Sequence, residues 1–166
     1  MKSQFRIDTR FHHVGIVVKN ISEATEKYAT IFGLDKTKIE VTEMSYMTGS
    51  GETEEFKYAF IPLAEGENNF LELVQPITPG PTSRYLEKHG EGLFHLAFET
   101  SEIEKTTEQF RRAGVSQAGA TPTKDVLSVF FHPKQANGVL IQVLKKGIFN
   151  SSGKISASIV ENETNS

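Results

Sequence analysis

Four polar side chains set in apolar segments are the residues of this sequence best suited to chemistry. They are His13, Glu72, His95 and Gln142, and we call them the candidate quartet. Burying an isolated imidazole or carboxylate is costly unless the group is paired or bound to a cation. If the quartet converges, a divalent metal is the simplest common partner. Imidazole nitrogens with carboxylate and amide oxygens suit zinc, cobalt, nickel, manganese or ferrous iron.

The alternation of side chains along the strands predicts that the quartet shares one face of a sheet. In the opening strand, Val14, Ile16 and Val18 point to one side and His13 to the other. The three other members alternate in the same way with apolar ridges in their own strands. These ridges are expected to lie under helices, so the quartet is expected on the opposite face.

The remaining histidines are predicted to have structural roles. His12 adjoins His13 but has the opposite parity, and it is therefore predicted to point away from the site. His89 falls in a turn and His132 precedes a proline. The sequence contains no nucleophile elbow, no glycine loop suited to phosphate and no basic-aromatic patch.

The elements that position the quartet come from an internal duplication. The segment HVGIVVKNISEATEKYATIFGL, residues 13–34, aligns with HLAFETSEIEKTTEQFRRAGV, residues 95–115. Each predicts a strand followed by a helix, capped at its start by Asn20 or Ser101 and at its end by Gly33 or Gly114. Later in each half, YAFIP matches VFFHP and FLELV matches LIQVL. Each half is therefore predicted to contain a strand, a helix and about three further strands.

These boundaries divide the chain into one domain and a tail. Residues 11–146 are predicted as a single domain with halves 11–77 and 91–146. The halves are joined by the linker TPGPT, residues 78–82, and a short helix over residues 83–89. Residues 147–166 are polar and aperiodic, and they predict a loosely held tail.

Composition excludes several classes of function. The 166 residues contain 18 basic and 21 acidic side chains, for a net charge of −3, which gives no positive field for nucleic acid or an anionic membrane. The absence of cysteine excludes disulfides, thiolate metal sites and a cysteine nucleophile. With no long apolar run, the sequence predicts a soluble, cytoplasmic protein that acts on a small molecule.

With these residues in place, the sequence resembles the vicinal oxygen chelate superfamily, the fold of glyoxalase I. Within it, the methylmalonyl-CoA epimerase family is the most similar. The resemblance covers residues 11–146 and is most specific in FHHVGIVVKNISEATEKY, EGLFHLAFE and FFHPKQANGVLIQV. It implies an α+β fold of two tandem βαβββ modules that form a curled mixed sheet around a metal site. It also places the family's four metal positions on His13, Glu72, His95 and Gln142, with zinc or cobalt preferred and nickel, manganese or iron open.

The resemblance further implies an isomerase that moves a proton beside an acyl-CoA thioester through a metal-stabilised enolate. Two positions depart from the family pattern, because Gln142 and Tyr58 stand where proton-transfer carboxylates are expected. An amide cannot act as a base, and a phenol could do so only after strong perturbation. Glu72, related to Gln142 by the duplication, is therefore the predicted catalytic base, with the Glu52, Glu54 and Glu55 cluster as a further source.

Other functions stay open from the sequence. They are a glyoxalase-like lyase, an Fe(II) dioxygenase that uses His13, His95 and Glu72 as a facial triad, and a small-molecule binding protein without chemistry. In ring-cleaving members of the superfamily the carboxylate follows both histidines, which argues against the dioxygenase. A homodimer is also compatible with the predicted exposed strands.

Overall fold

A computed structural model describes residues 8–47, 51–63, 69–118, 127–154 and 156. Within these residues eight strands form one mixed sheet, with three α-helices and two short 3-10 turns at Lys36–Lys38 and Pro133–Gln135. The elements are β1 Thr9–Val17, α1 Ile21–Phe32, β2 Val41–Met47, β3 Thr53–Pro62, β4 Phe70–Pro76, α2 Pro81–His89, β5 Gly92–Thr100, α3 Ile103–Arg112, β6 Gln117–Ala118, β7 Ser128–Phe131 and β8 Ile141–Lys145.

The sheet confirms the predicted duplication and fold class. Its strand order is β2-β3-β4-β1-β5-β8-β7-β6, so the two halves meet where β1 and β5 pair antiparallel. In each half the first strand runs parallel to the last, β1 with β4 and β5 with β8, and the other pairs are antiparallel. The protein is thus an α+β fold of two βαβββ modules in a curled mixed sheet.

Helix α1 covers the apolar face of the first module. Its N-cap Asn20 accepts hydrogen bonds from the backbone N–H groups of Ser22 and Glu23, at 3.1 and 3.3 Å. The helix ends at Gly33, whose φ of 65° is left-handed, so both predicted caps are confirmed. Beneath the helix lies the predicted apolar ridge of β1, which consists of Val14, Ile16 and Val18. It packs in a cluster with Ile21, Ala59, Ile61, Leu71 and Leu73.

Helix α3 starts differently from the prediction. Its N-cap is Glu102 rather than Ser101, and the cap side chain makes no capping hydrogen bond. Instead, the Glu102 N–H donates to Thr100 Oγ1 at 3.1 Å, which draws the start of the helix towards the end of β5. At the other end the C-cap is Ala113 rather than Gly114. Gly114 follows it with the predicted left-handed conformation, at a φ of 79°.

Helix α2 begins inside the predicted linker because a carboxylate from β3 caps it. Glu54 is buried, and its Oε1 accepts from the backbone N–H groups of Thr82 and Ser83 at 2.9 and 3.2 Å. Its Oε2 accepts from Thr82 Oγ1 at 3.0 Å. The N-cap residue of the helix is Gly80, which has no side chain to serve as a cap. A strand residue therefore supplies the acceptor that the helix lacks.

The residues just after β8 are packed, contrary to the expectation of a loose tail. Ile148 is buried against Ala97 and Leu144. Phe149 packs edge-on against Phe60 with ring centroids 4.9 Å apart. At Gly153 a Cβ atom would lie 2.5 Å from the Phe60 Cβ, so the chain approaches closely there. The remainder of the predicted tail, residue 155 and residues 157–166, lies outside the described residues.

No helix among the described residues is both long and apolar enough to cross a membrane.

Candidate metal centre

The sheet face opposite the helices carries the predicted site. Strands β1, β4 and β5 each contribute a predicted site residue to this face, and all three are buried: His13 is 1% exposed, Glu72 8% and His95 6%. The strands are neighbours in the sheet, since β1 lies between β4 and β5. The alternation that places Leu71 and Leu73 under α1 therefore brings these three side chains together.

Three atoms of these side chains meet closely. His13 Nε2 lies 2.9 Å from His95 Nε2, and each of these nitrogens lies 3.2 Å from Glu72 Oε2. Ligands that sit about 2.1 Å from a cation at tetrahedral or octahedral angles are about 3.0–3.4 Å apart. The observed spacing matches that of ligands sharing one cation, and the three residues form a group suited to holding a metal ion.

Gln142 borders this group from β8. Its side chain lies beside His13, and its backbone pairs with Ala97, two residues beyond His95. Gln142 Oε1 is buried and has no hydrogen-bond partner among the described residues. A buried acceptor without a donor is costly. A fourth metal ligand is a role that fits this oxygen.

The charges of the group favour metal binding. Burial is the largest influence on the pKa of Glu72 and raises it, but the charge and hydrogen bond of His13, together with those of His95, outweigh it, so this pKa lies well below its ordinary value. Burial lowers the pKa of His13, and the charge of Glu72 offsets this only in part. An ionised carboxylate and a neutral imidazole are the forms that bind a cation.

His12 belongs to this face, and the prediction that it points away is wrong. In the β1–β5 ladder Phe11 pairs with Phe98 and His13 with the adjacent Ala97, so His12 is an extra residue in a β-bulge. The bulge breaks the alternation and leaves His12 1% exposed. Its Nδ1 lies 2.7 Å from His13 Nδ1. Burial, followed by the charge of His13, lowers the pKa of His12 to about 4.

Glycine at position 15 makes room for His95. A Cβ atom there would lie 2.2 Å from His95 Cε1 and 2.5 Å from its Nδ1. Gly15 and His95 are direct partners in the β1–β5 ladder. This glycine is not among the site residues predicted from the sequence, although a glycine inside a strand is a signal of close approach.

Tyr58 is poorly suited to act as a base near neutral pH. It is buried in a cluster with Phe60 and Phe70 on the same side of the sheet as the site. Burial raises the pKa of Tyr58, and a hydrogen bond to Thr42 only partly counteracts this. The phenol is therefore protonated near neutral pH.

The acidic cluster before Tyr58 does not supply a base either. Glu54 is committed to the start of α2, where it accepts from the first N–H groups of the helix. Glu52 lies 3.5 Å from Arg84 in an exposed ion pair. Glu55 is exposed. Within the described residues, Glu72 is the carboxylate of the site.

The chain matches a known protein family over most of its length. The profile described as Glyoxalase/Bleomycin resistance protein/Dioxygenase superfamily matches residues 12–131. The matched range includes His13, Glu72 and His95 and ends before Gln142.

Two curated relatives match most of the chain. One is the mitochondrial methylmalonyl-CoA epimerase of Dictyostelium discoideum, which is 29% identical over 144 residues, or 82% of this chain and 78% of the relative. The other is an uncharacterized protein of Bacillus subtilis strain 168, which is 27% identical over 138 residues, or 81% of this chain and 90% of the relative.

Solved structures share the fold. Methylmalonyl-CoA epimerase from Mycobacterium tuberculosis has a TM-score of 0.64 and 23% identity, and the match covers 87% of this chain and 92% of that one. A methylmalonyl-CoA epimerase in complex with methylmalonyl-CoA and ammonium has a TM-score of 0.61 and 25% identity, with 82% and 94% covered. The duplicated sheet is therefore an architecture found in enzymes of this kind.

Proposed function

The chain belongs to the glyoxalase/bleomycin resistance protein/dioxygenase superfamily, and from that premise we propose that it is a divalent-metal-dependent isomerase of the methylmalonyl-CoA epimerase type. Its substrate would be an acyl-CoA thioester with an acidic proton beside the carbonyl. The observation that carries the proposal is the convergence of His13 Nε2, Glu72 Oε2 and His95 Nε2 within 3.2 Å of one another. The epimerase relatives support the choice of substrate.

The metal ligands in this proposal are His13, Glu72 and His95, with Gln142 as the fourth. Zinc or cobalt suits these ligands best, and nickel, manganese and iron are also compatible with them. With one carboxylate and a divalent cation the site keeps a net charge of +1. The cation supplies Lewis-acid stabilisation of the negative charge that develops on the thioester oxygen.

Glu72 is proposed as the base. Its ionised carboxylate takes the proton from the carbon beside the thioester carbonyl, and the electron pair of the broken C–H bond moves into the enolate. Glu72 is the one carboxylate of the site among the described residues, so the proton that completes the inversion would come from water on the opposite face of the enolate, and Glu72 would then pass its own proton to water. The duplication makes β4 and β8 equivalent strands, so Glu72 and Gln142 occupy related positions in the two modules. The family pattern expects the catalytic carboxylate in the second module, at position 142. We infer that it has moved to the related position in the first module, so that Glu72 carries the carboxylate and Gln142 the amide.

Proton transfer can be measured separately from epimerisation. The metal-loaded protein is incubated with one epimer of methylmalonyl-CoA in deuterated water, with mass spectrometry reading deuterium uptake and a chiral assay reading inversion. The unaltered protein is expected to show both. The Glu72→Gln variant keeps an oxygen ligand but loses the base, so both rates should fall at least about a hundredfold. Full activity in this variant would reject the role of Glu72.

The exchange between modules has its own test in a double variant. Gln142→Glu combined with Glu72→Gln returns a single carboxylate to the equivalent strand. Activity well above that of Glu72→Gln alone is expected if the two positions are related functionally. The Gln142→Glu single variant serves as the control for the added charge. A double variant no better than Glu72→Gln alone would reject the exchange.

Other outcomes would assign a different reaction. Deuterium uptake without inversion would indicate proton transfer on one face, as in a glyoxalase-like lyase. Oxygen consumption with a catechol would favour the dioxygenase, for which the two histidines and one carboxylate form a possible triad. A freshly purified protein without stoichiometric metal would favour a binding protein. The homodimer and the cytoplasmic location stay predictions.

A further inference from the structure

The buried pair formed by His12 and His13 has a role that the metal ligands alone do not explain. The two Nδ1 atoms lie 2.7 Å apart, which is hydrogen-bond distance. Two imidazole nitrogens can share such a bond only if one carries a proton and the other a lone pair. The protonation pattern of one ring therefore fixes that of the other.

The remaining nitrogen of His13 sets the direction of this bond. To bind a cation through Nε2, His13 must keep its proton on Nδ1 and donate it to His12 Nδ1. His12 then carries its own proton on Nε2. Without a cation, His13 Nε2 lies 3.2 Å from the acceptor Glu72 Oε2, which favours a proton on that nitrogen. His13 Nδ1 is then unprotonated and accepts the hydrogen bond from His12 Nδ1.

We propose that His12 is a positioning residue, which accepts the Nδ1 proton of His13 and so holds that ring in the tautomer and orientation that bind the metal. The inference rests on the proposed metal site and extends it to a residue outside the ligand set. Metal-binding histidines generally donate their second ring N–H to such a partner, and loss of that partner typically weakens metal binding about 10–100-fold.

Aromatic packing holds His12 in place for this task. Its ring centroid lies 5.3 Å from that of Phe70, 5.7 Å from Phe149 and 5.9 Å from Phe60. One wall of this enclosure, Phe149, comes from the segment after β8. The ring is thus enclosed by groups that cannot compete for Nδ1, which leaves it available to His13.

In the second module, the histidine that corresponds to His13 is His95, and it has no neighbour equivalent to His12. The β1–β5 ladder has a second irregularity, which leaves Phe94 as the extra residue before His95, as His12 precedes His13. A phenylalanine offers no acceptor, and His95 Nδ1 is buried without a hydrogen-bond partner among the described residues. The two proposed histidine ligands are therefore supported unequally, and only His13 has a polar support.

Metal affinity measured by calorimetry tests the proposal. In His12→Phe the ring stays but the acceptor is lost, as at Phe94, and the dissociation constants for zinc and cobalt are expected to rise about 10–100-fold. In His12→Asn the amide oxygen can accept in place of Nδ1, so affinity should recover to within about threefold of the unaltered protein. The matched control is His132→Asn at an exposed histidine, where no change is expected. Unchanged affinity in His12→Phe would overturn the proposal.

A spectroscopic test needs no variant. Nitrogen NMR of 15N-histidine-labelled protein distinguishes protonated from unprotonated ring nitrogens. Zinc loading is expected to move the His12 proton from Nδ1 to Nε2 and the His13 proton from Nε2 to Nδ1. Identical His12 tautomers with and without zinc would overturn the proposal while leaving the metal site in place. If the unaltered protein binds no zinc, the metal site itself fails, and the role of His12 fails with it.

Discussion

The two histidines of the candidate metal centre are held in different ways. His13 has a hydrogen-bonded neighbour in His12, whereas His95 Nδ1 has no such partner among the described residues. The His95 ring instead lies directly over Gly15, where any side chain would overlap it. The position of His95 is therefore set by shape, and that of His13 by a hydrogen bond.

Gly15→Ala tests the role of shape at His95. The added Cβ would lie 2.2 Å from His95 Cε1, and β1 cannot shift because it pairs with both β4 and β5. The ring must therefore rotate away from Glu72, and zinc affinity measured by calorimetry is expected to fall about tenfold or more. Displacing a side chain from its rotamer costs about 0.5–1.5 kcal/mol, so the metal-free protein should still fold.

The control for this variant is Gly33→Asn. Gly33 has a left-handed φ of 65°, and a Cβ atom added there would have open space for 4 Å around it. Asparagine tolerates that backbone conformation. Zinc affinity should be unchanged in the control. If Gly15→Ala binds zinc as tightly as the unaltered protein, shape at this position does not set His95.

Residue types and alternation predict much of the site, but not all of it. They place His13, Glu72 and His95 on one face because alternation holds on both sides of Glu72 and in the residues that directly follow His13 and His95. They misplace His12 because alternation carries no sign of a bulge, which arises from pairing with β5. The packing of Gly15 against His95 likewise depends on the register of two strands that are distant in sequence.

At the scale of elements, helix α2 depends on a residue from a strand. Gly80 occupies the N-cap, and a Cβ atom there would lie 2.5 Å from the Glu54 carboxyl carbon. The absence of a side chain at Gly80 thus admits the carboxylate that caps the helix. The negative charge also lies at the positive end of the helix dipole.

Substitutions of Glu54 separate its charge from its hydrogen bonds. Glu54→Gln keeps an oxygen for the N–H groups of Thr82 and Ser83 but removes the charge, and it is expected to lower the free energy of unfolding by about 1 kcal/mol. Glu54→Ala removes every acceptor and should cost about 2–3 kcal/mol. Urea denaturation measures both.

The neighbouring Glu55→Gln is the matched control, because Glu55 is exposed. Its effect should stay within about 0.5 kcal/mol. Deuterium exchange into the acyl-CoA substrate should be unchanged in Glu54→Gln if the residue is a cap. A loss of exchange with full stability would instead make Glu54 a candidate base.

The elements that sequence patterns predict well are those with strong local signals. Helix α1 has its cap and glycine where expected, because both are local features. The start of α2 escapes prediction because its cap comes from β3, about 30 residues away in sequence. The segment after β8 differs from the prediction because its polar composition hides two apolar residues, Ile148 and Phe149, that pack against the sheet.

At the scale of the whole molecule, the duplication explains why the site lies between the modules. Strands β1 and β5 begin the two modules and pair with each other, so their histidines meet at the line that divides the halves. Strands β4 and β8 flank them and supply Glu72 and Gln142. The repeat in the sequence predicts this arrangement, because equivalent strands must occupy equivalent places in the sheet.

The metal-free protein is predicted to lose stability as the pH falls from about 6.5 to 4. Burial lowers the pKa of His12 from 6.5 to about 4 and also lowers that of His13. In this pH range His12 and His13 bind protons in the unfolded chain but not in the folded protein. The free energy of unfolding therefore falls as the pH falls. Each such proton contributes up to about 1.4 kcal/mol per pH unit. The lowered pKa of Glu72 extends the loss below its ordinary value of 4.5.

Chemical denaturation of the metal-free protein at a series of pH values between 7.5 and 4 measures this dependence. His12→Asn removes one of the titrating groups, so its stability should fall less steeply over the same range. His132→Asn removes an exposed histidine and should leave the slope as it is in the unaltered protein. Zinc should add its own dependence, since protons compete with the cation for His13 and Glu72, and the stabilisation by zinc should shrink as the pH falls. Stability that stays level or rises between pH 6.5 and 4 would show that the buried histidines take up protons without disrupting the fold, contrary to the cost expected for charging two side chains that are each 1% exposed.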